Sequence, residues 1–293
     1  MKRYLIILFV SIPFLLFNVA CSSDDENTTN PETILEAEVR MNVSYGEHPS
    51  QVYDLYLPEG RTQESTKVII LVHGGGWTSG DKNDMIEIVN FLQANHPDYA
   101  VANINYVLAE IGVPAFPNQF LDLGSVLSQL TEQQNELHIQ PQFGLIGTSA
   151  GAHISLMYDS VYDLSDQVKF VADIVGPSDF TDPFYANNPN FELALQLLTD
   201  TNAYPPGSNL PEVLSPVFQV SENTSPTILF YGSLDPIVPI SNGFALENAL
   251  NTTGINYSFT VYEGGHGDDW STADVQDLQT KLEQFMLTHL PID

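Results

Sequence analysis

The sequence FGLIGTSAGAHISLM, residues 143–157, carries a Gly-x-Ser-x-Gly turn between two apolar segments. Phe143 opens a short run that is typical of a buried strand, and Ile154 begins a run with helical spacing. A serine between a strand and a helix indicates a nucleophile elbow, in which glycines allow a turn that larger side chains would obstruct. Ser149 is therefore the candidate nucleophile, and the rest of the chain must supply an acid, a base and an oxyanion hole.

The composition indicates an acidic protein with one large core. The chain has 293 residues, of which 43% are hydrophobic, as suits a single large α/β domain. Its 37 acidic and 8 basic residues give a formal net charge of -29. We expect no nucleic-acid partner and no binding to anionic lipid surfaces, because both carry negative charge. A single cysteine excludes an intramolecular disulfide.

Residues 1–20 have the features of a signal peptide and are left out of the fold. Two basic residues precede the apolar stretch Leu5–Phe17, which is shorter than the ~20 residues that a membrane-spanning helix needs. Cys21 follows, and the arrangement resembles the signals of bacterial lipoproteins, although Asn18 stands where those usually carry leucine.

The lipoprotein resemblance implies that Cys21 is lipidated and becomes the N-terminus. We then expect a cell-envelope protein that is anchored to the outer membrane or the cell surface, with membrane contact through the lipid alone. The alternative is a periplasmic or secreted protein with an unmodified thiol.

Residues 21–36 are mostly polar and predict a flexible tether, whereas residues 37–293 predict one domain. Near its start, Val39, Met41 and Val43 alternate with polar residues, as in a half-buried edge strand. Predicted strands and helices then alternate along the chain, which indicates an α/β fold whose mostly parallel central sheet has helices on both faces.

The segment at about residues 176–225 interrupts this alternation with prolines and scattered aromatic residues, and only Glu192–Leu198 predicts a short helix. Long irregular segments in compact domains are often functional, so we interpret it as a cap-like insertion or lid over the site. A surface loop without a role is the alternative.

Two loops at the predicted C-terminal ends of strands supply an acid and a base. Asp235 follows the strand ending at Tyr231, and His266 follows the strand ending at Tyr262. A serine hydroxyl is a poor nucleophile unless an imidazole takes its proton, and a carboxylate must fix the tautomer of that imidazole. Ser149, Asp235 and His266 follow the chain order of α/β-hydrolases.

Each of these two assignments has a rival in the sequence. Asp179, after the preceding strand, is the alternative acid, since some hydrolases place the carboxylate there. His289, near the end of the last helix, is the alternative base. Asp235 is preferred because its Pro turn directs it towards the His266 loop.

A glycine triplet, Gly74–Gly76, follows the buried run Val68–Val72 and matches the HGGG-type loop that binds an oxyanion. Backbone N–H groups aimed at the developing negative charge supply about 3 kcal/mol each. The residue after the nucleophile, here Ala150, provides the partner donor in such sites. A flexible turn is the alternative explanation of the triplet.

These motifs together resemble the α/β-hydrolase esterases with an HGGGW signature. The resemblance rests on VHGGGW at 72–77, GTSAG at 147–151, the Asp235 turn and the His266 loop, and it runs from about Val39 to the C-terminus. Those esterases include hormone-sensitive-lipase-like carboxylesterases and the bacterial feruloyl-esterase and kynurenine-formamidase-like groups. The resemblance implies the α/β-hydrolase fold.

The resemblance also assigns roles within the glycine loop. It implies that Gly75 and Gly76 donate to the oxyanion with Ala150, that His73 braces the loop, and that Trp77 lines or buttresses the pocket. The sequence departs from the pattern at residues 105–107, where relatives usually have Tyr-Arg. That departure puts in doubt an ion-pair network behind the loop.

The leading hypothesis is a serine carboxylesterase that works through an acyl-enzyme and needs neither a cofactor nor a metal. We expect a small-molecule or glycan ester as its substrate, for example acetyl or feruloyl esters on neutral polysaccharides. One alternative is an amidase, formamidase or peptidase of the same fold. Another is a non-catalytic surface binding protein, which should not react with a fluorophosphonate.

Overall fold

The computed structural model describes residues 34–292. The predicted signal peptide, the lipidation site Cys21 and the predicted tether as far as residue 33 lie outside the described residues. Residues 34–36, at the predicted end of the tether, contact the domain: the Leu35 carbonyl accepts from the Gly60 N–H at 2.8 Å. Within residues 34–292, no helix has both the length and the apolar character that crossing a membrane requires.

Eight strands form one sheet in the described part of the chain. They are β1 (Glu38–Ser44), β2 (Val52–Leu57), β3 (Val68–Val72), β4 (Ala100–Ile104), β5 (Phe143–Thr148), β6 (Val168–Ile174), β7 (Thr227–Gly232) and β8 (Tyr257–Tyr262). The order across the sheet is β1-β2-β4-β3-β5-β6-β7-β8, with β2 antiparallel to both of its neighbours and the other pairs parallel. The mostly parallel sheet is confirmed.

The helices alternate with the strands as predicted. They are α1 (Ile86–Asn95), α2 (Asn118–Glu132), α3 (Gln134–Leu137), α4 (Ala150–Met157), α5 (Pro183–Ala186), α6 (Phe191–Leu198), α7 (Leu210–Val213), α8 (Ser241–Thr253) and α9 (Thr272–His289). A 3₁₀ turn, Lys82–Met85, precedes α1, and a π turn, Tyr158–Tyr162, follows α4.

The sheet separates two apolar cores, because successive side chains of a strand point to opposite faces. In β3, Ile70 belongs to the core that contains residues of α2, α4 and α8, whereas Ile69 and Leu71 belong to the core with α1 and α9. All five residues of β3 are buried, as its β-branched composition predicts for a strand covered on both faces.

The edge strand β1 lies where the sequence predicts it, but its side chains point differently. Val39 and Met41 are 54% and 57% exposed, so the predicted half-buried alternation is wrong for both. Asn42 adopts a φ of 54°, and the pairing register shifts between Arg40 and Val43. This bulge changes which face the following residues occupy, and Val43 packs against the core while the two earlier apolar residues face solvent.

The segment between β6 and β7 holds more regular structure than the one predicted helix. It contains α5, α6 and α7 and two 3₁₀ turns, Thr201–Ala203 and Pro216–Phe218. Its backbone bonds to the loop before α2, since the Phe116 N–H donates to the Leu198 carbonyl and the Asp200 N–H donates to the Phe116 carbonyl. Whether the segment moves as a lid stays a prediction.

Candidate active site

Ser149 occupies the sharp turn between β5 and α4. Its φ of 50° and ψ of -118° lie in a region that non-glycine residues seldom adopt, so the turn stores strain. Its N–H donates to the Ile174 carbonyl at 2.8 Å, which fastens the turn to β6. At Gly151 a Cβ would lie 2.1 Å from the Val72 carbonyl oxygen, so only glycine allows α4 to start this close to β3.

The structure brings Ser149, His266 and Asp235 into one hydrogen-bonded chain. The Nε2 atom of His266 lies 2.9 Å from the Ser149 Oγ. Its Nδ1 atom lies 2.6 Å from the Asp235 Oδ2. With Nδ1 protonated towards the carboxylate, Nε2 is unprotonated and can accept the serine proton. This geometry would allow the serine to act as a nucleophile, the histidine as a base and the carboxylate as an orienting acid.

The environment of Asp235 keeps this carboxyl group ionised. Burial of the side chain opposes ionisation, but hydrogen bonds from His266 and from the N–H groups of Val238 and Ile237 outweigh it. Together they hold the pKa of Asp235 below its usual range. The two N–H groups donate to Oδ1, at 3.0 and 2.8 Å, which leaves Oδ2 for His266. The carboxylate is therefore both charged and fixed in orientation.

Asp179 and His289, the alternative acid and base, contact other residues. The Oδ1 atom of Asp179 accepts from the N–H and the hydroxyl of Thr181, at 2.8 and 2.6 Å. His289 packs against Phe285 near the end of α9, with ring centroids 4.3 Å apart. The described residues show no hydrogen bond from either rival to Ser149 or His266.

The glycine triplet lies beside the candidate nucleophile. A Cβ on Gly74 would be 3.2 Å from the Ser149 Cβ. Gly75 has a φ of 115°, and a Cβ there would fall 2.0 Å from a backbone oxygen of the same loop, so glycine is required. Throughout residues 34–292, no group accepts a hydrogen bond from the N–H of Gly75, Gly76 or Ala150. These donors remain available to a developing oxyanion.

His73 and Tyr106 support the glycine loop. Their rings stack with centroids 4.3 Å apart and planes 12° from parallel. The Tyr106 hydroxyl donates to the His73 carbonyl at 2.9 Å, and the His73 Nδ1 lies 2.6 Å from the Gly74 carbonyl oxygen. Burial, opposed by this bond to Gly74, lowers the pKa of His73. The ring is a neutral brace for the loop.

Trp77 ends the loop with a φ of 64°. Its carbonyl accepts from the Ala109 N–H at 2.9 Å and from the Gln119 side chain at 2.8 Å. Its ring meets Phe116 and Phe180 edge-on, with centroids 5.5 and 5.8 Å apart. Phe180 belongs to the segment between β6 and β7, so Trp77 links the loop to that segment.

A family model, BD-FAE, matches residues 53–250, about two thirds of the chain. The chain belongs to the BD-FAE family. The match includes Ser149 and Asp235 and ends before His266. Two curated relatives are each 24% identical to the chain over 78% of its length: the isoprenylcysteine alpha-carbonyl methylesterase of Arabidopsis thaliana and the esterase LipC of Mycobacterium tuberculosis. The chain spans 56% and 60% of their lengths.

Solved structures show the same fold at low sequence identity. A truncated carbohydrate esterase from gut microbiota aligns over 85% of this chain and 96% of its own, with a TM-score of 0.68 and 19% identity. Esterase 2 of Thermogutta terrifontis aligns over 87% of this chain and 96% of its own, with a TM-score of 0.69 and 18% identity. This BD-FAE member therefore has the α/β-hydrolase fold.

At Val107, where relatives usually carry arginine, the backbone N–H bonds to a carboxylate that pairs with no lysine or arginine of residues 34–292. The Val107 N–H and the Gln51 side chain donate to the two carboxylate oxygens of Asp122, at 2.8 and 2.7 Å. Burial raises the pKa of Asp122 in spite of these bonds. Asp122 is therefore held by neutral donors, and the buried ion pair nearest to residues 103–105 is Lys82–Asp54.

Two residues that hold the site were not predicted. The sequence gives no signal for Tyr106, whose hydroxyl lies 2.9 Å from the His73 carbonyl oxygen and 3.4 Å from that of Gly74. His153 lies one helical turn after Ser149 and accepts a hydrogen bond from the Trp77 ring N–H at 3.3 Å. The i, i+4 spacing from the nucleophile was the available signal, but a buried histidine on a helix is usually a core residue.

A buried carboxyl group, Asp173, lies next to the elbow and outside the triad. It pairs in register with Gly147 and is fully buried. The Tyr231 hydroxyl lies 2.7 Å from the Asp173 Oδ2 and 2.6 Å from the Gly176 carbonyl oxygen. One phenolic proton cannot serve both acceptors, and a carbonyl cannot donate. The contacts are satisfied when Asp173 keeps its own proton and donates it to Tyr231.

The pKa of Asp173 agrees with this proton count. Burial raises the pKa to about 7, in spite of the contacts with Tyr231 and the Gly176 N–H. In the unfolded chain the carboxyl group ionises near pH 4. As the pH rises from about 4 to 7, the unfolded state loses this proton while the folded state keeps it, so this group lowers stability by on the order of 1 kcal/mol per pH unit.

We expect Asp173→Asn to remove this pH dependence. The amide copies the protonated acid, since its oxygen accepts from Gly176 and its NH₂ donates to Tyr231. The melting temperature of the variant should exceed that of the wild type by on the order of 5 °C at pH 8, with a smaller gain at pH 5. Asp173→Ala is the control, because it leaves the Gly176 N–H without an acceptor and removes one of the two bonds of the Tyr231 hydroxyl, so it should lower the melting temperature at both pH values. A Tm gain for Asp173→Asn that is equal at both pH values would contradict the proton assignment.

The described residues show neither a metal site nor a free cation at the triad. Within residues 34–292, no three His, Cys, Asp or Glu side chains are grouped so as to hold a metal ion. The six lysine and arginine side chains of this range bond to other partners. The pairs are Arg40–Glu38, Arg61–Glu38, Lys82–Asp54, Lys169–Asp166, Lys281–Asp277, and Lys67 with the Pro291 carbonyl.

Proposed function

We propose that this protein is a serine carboxylesterase that cleaves uncharged esters through an acyl-enzyme at Ser149. The observation that carries the proposal is the hydrogen-bonded chain from Ser149 through His266 to Asp235. The free N–H groups of the glycine loop add the second requirement of acyl transfer, a place for the oxyanion. The names of the curated relatives, a methylesterase and an esterase, support the same class of reaction.

The first half of the proposed reaction forms the acyl-enzyme. The Ser149 Oγ attacks the ester carbonyl carbon while its proton passes to the His266 Nε2. The carbonyl oxygen becomes negatively charged and accepts hydrogen bonds from the loop N–H groups of Gly75 and Gly76 and from Ala150. Collapse of the tetrahedral intermediate breaks the bond to the alcohol oxygen, and the imidazolium returns its proton to the leaving alcohol.

The second half of the reaction hydrolyses the acyl-enzyme. His266 takes a proton from a water molecule, whose oxygen attacks the acyl carbon. The same N–H groups hold the second oxyanion. The bond to the Ser149 Oγ then breaks, the serine regains a proton from the imidazolium, and the carboxylic acid leaves. Asp235 stays ionised throughout and stabilises the positive charge on His266.

The charge of the molecule favours a neutral substrate. All six basic side chains of the described residues are bonded elsewhere, so none is left to pair with an anionic substrate group at the triad. A net charge of -29 repels anions at longer range. Acyl esters on neutral carbohydrates meet this condition, and one structural neighbour is named a carbohydrate esterase. We propose such esters as the substrate class.

A fluorophosphonate probe tests the nucleophile directly. We expect the wild type to be labelled once, at Ser149, because the probe reacts only with a serine whose proton a base can take. Peptide mapping by mass spectrometry locates the label. Ser125→Ala is the matched control, since Ser125 is exposed on α2 and bonds to its own helix. The control should be labelled as the wild type is, whereas Ser149→Ala should not.

The labelling result, followed by a comparison of substrates, separates the alternative functions. Absence of labelling in a folded wild type would favour the non-catalytic binding protein. If labelling occurs, paired substrates with the same acyl group, an ester and an amide, distinguish an esterase from an amidase or formamidase. We expect the ester to be cleaved much faster. Lipidation of Cys21 and the envelope location remain proposals that rest on the sequence.

A further inference from the structure

His153 connects the glycine loop to the segment between β6 and β7. It lies on α4, four residues after Ser149, and is fully buried. Its Nε2 atom lies 2.8 Å from the Leu214 carbonyl oxygen. Its Nδ1 atom lies 3.3 Å from the Trp77 ring nitrogen. One imidazole thus bonds to the loop with the oxyanion donors and to the segment beyond β6.

These two partners leave only one possible tautomer. A backbone carbonyl can only accept, so the Nε2 of His153 carries the proton and donates it to Leu214. The indole N–H of Trp77 can only donate, so the unprotonated Nδ1 accepts from it. Burial, opposed by the bond to Leu214, lowers the pKa of His153 to about 4, which keeps the ring neutral at ordinary pH.

Aromatic rings surround His153 and fix its position. The ring centroids of Trp77, Phe116, Phe120 and Phe180 lie between 5.1 and 5.6 Å from the imidazole centroid. They come from the glycine loop, the approach to α2, α2 itself and the segment after β6. Rotation of the imidazole would require these rings to move, so the two hydrogen bonds keep their geometry.

We propose that His153 is a positioning residue that fixes the glycine loop relative to the segment between β6 and β7. Trp77 follows Gly76 directly, so a shift of the indole ring moves the backbone that carries the oxyanion donors. A misplacement of about 1 Å in such a group can cost about 100-fold in rate. The inference rests on the proposed function, because it assigns the loop N–H groups to the oxyanion.

His153→Phe tests the proposal, since it keeps an aromatic ring in the cluster and removes both hydrogen bonds. We expect kcat for a short p-nitrophenyl ester to fall by about 10- to 100-fold. Complete loss of one oxyanion donor costs about 100-fold or more, and a misaligned donor should cost less. KM should change by less than about 3-fold, because the loop N–H groups act chiefly in the transition state. His153→Gln, which keeps an amide donor and acceptor, should recover part of the loss.

A double-mutant cycle tests whether the two residues act through one bond. Trp77→Phe removes only the indole donor. If Trp77 and His153 work as a unit, the double variant should be no slower than the slower single variant by more than about 2-fold. His96→Phe is the matched control, because His96 is also buried among aromatic rings and lies away from the loop, at the end of α1. Its kcat should stay at the wild-type value.

Hydrogen–deuterium exchange supplies a measurement that does not depend on catalysis. In His153→Phe, peptides covering residues 73–80 and 208–218 should exchange faster together, while a peptide covering α3 should not change. Faster exchange everywhere with an unchanged kcat would indicate a merely structural role and overturn the proposal. An unchanged kcat with unchanged exchange would overturn it as well.

The two proposals can fail separately. A wild type that hydrolyses no ester and takes no fluorophosphonate label would refute the proposed function. The exchange pattern alone would then test whether His153 couples the glycine loop to the segment between β6 and β7. Faster exchange of both peptides in His153→Phe supports this coupling, and a change in only one of them refutes it.

Discussion

Ser149→Ala should reduce kcat for p-nitrophenyl acetate by on the order of 10⁵- to 10⁶-fold, to the level that the oxyanion donors alone can sustain. The alanine removes the atom that forms the acyl-enzyme and leaves the rest of the site in place. In the structure the Ser149 Oγ bonds only to His266 among the described residues, so its loss leaves no buried group unpaired beyond that imidazole. Stopped assays at high enzyme concentration, corrected for uncatalysed hydrolysis, measure the effect.

The control for this prediction is the fold of the variant. Its melting temperature should stay within a few degrees of the wild type, since the serine φ of 50° is equally strained for alanine. Ser125→Ala, on the exposed face of α2, should keep wild-type turnover. Turnover of Ser149→Ala above about one percent of the wild-type rate would remove Ser149 from the mechanism, because a lost nucleophile costs far more than 100-fold.

Asp235→Asn should lower kcat by about 10⁴-fold with the site geometry intact. The reason lies in how the carboxylate is held. Its Oδ1 accepts from the N–H groups of Ile237 and Val238, so an asparagine must place its oxygen there and turn its NH₂ towards His266. The His266 Nδ1 must then accept, and its proton moves to Nε2, where it faces Ser149. The imidazole in that tautomer cannot take the serine proton.

Asp179→Asn is the matched control for the acid. Asp179 was the rival in the sequence, but its Oδ1 bonds to Thr181. Its kcat should remain within about 3-fold of the wild type, as is usual for a charge change outside a catalytic network. If the Asp179 variant lost activity and the Asp235 variant kept it, the acid would be misassigned.

The grouping of Ser149, Asp235 and His266 could be predicted because chain order and strand ends bring these residues together. In an open parallel sheet the C-terminal ends of the strands meet at one edge, so residues after β5, β7 and β8 are neighbours whatever the details of packing. That placed Ser149 beside His266 although they are 117 residues apart in sequence. The glycine triplet followed from the same rule at the end of β3.

The contacts of His153 could not be predicted, because they depend on where two individual residues lie. His153 bonds to Trp77 and to Leu214, whose positions depend on the path of an irregular segment with no periodic pattern. The inverted faces of Val39 and Met41 depend on one bulge at Asn42, which alternation alone does not reveal. Sequence patterns report regular geometry, and these features arise where the geometry is irregular.

The engagement of every described basic side chain has a consequence for the end of the catalytic cycle. Ester hydrolysis turns a neutral molecule into a carboxylate at ordinary pH. That product forms on a protein of net charge -29 whose described lysines and arginines are bonded elsewhere. Long-range repulsion therefore opposes its return. If the protein acts as proposed, we expect weak product inhibition by the acid, because this repulsion favours its release.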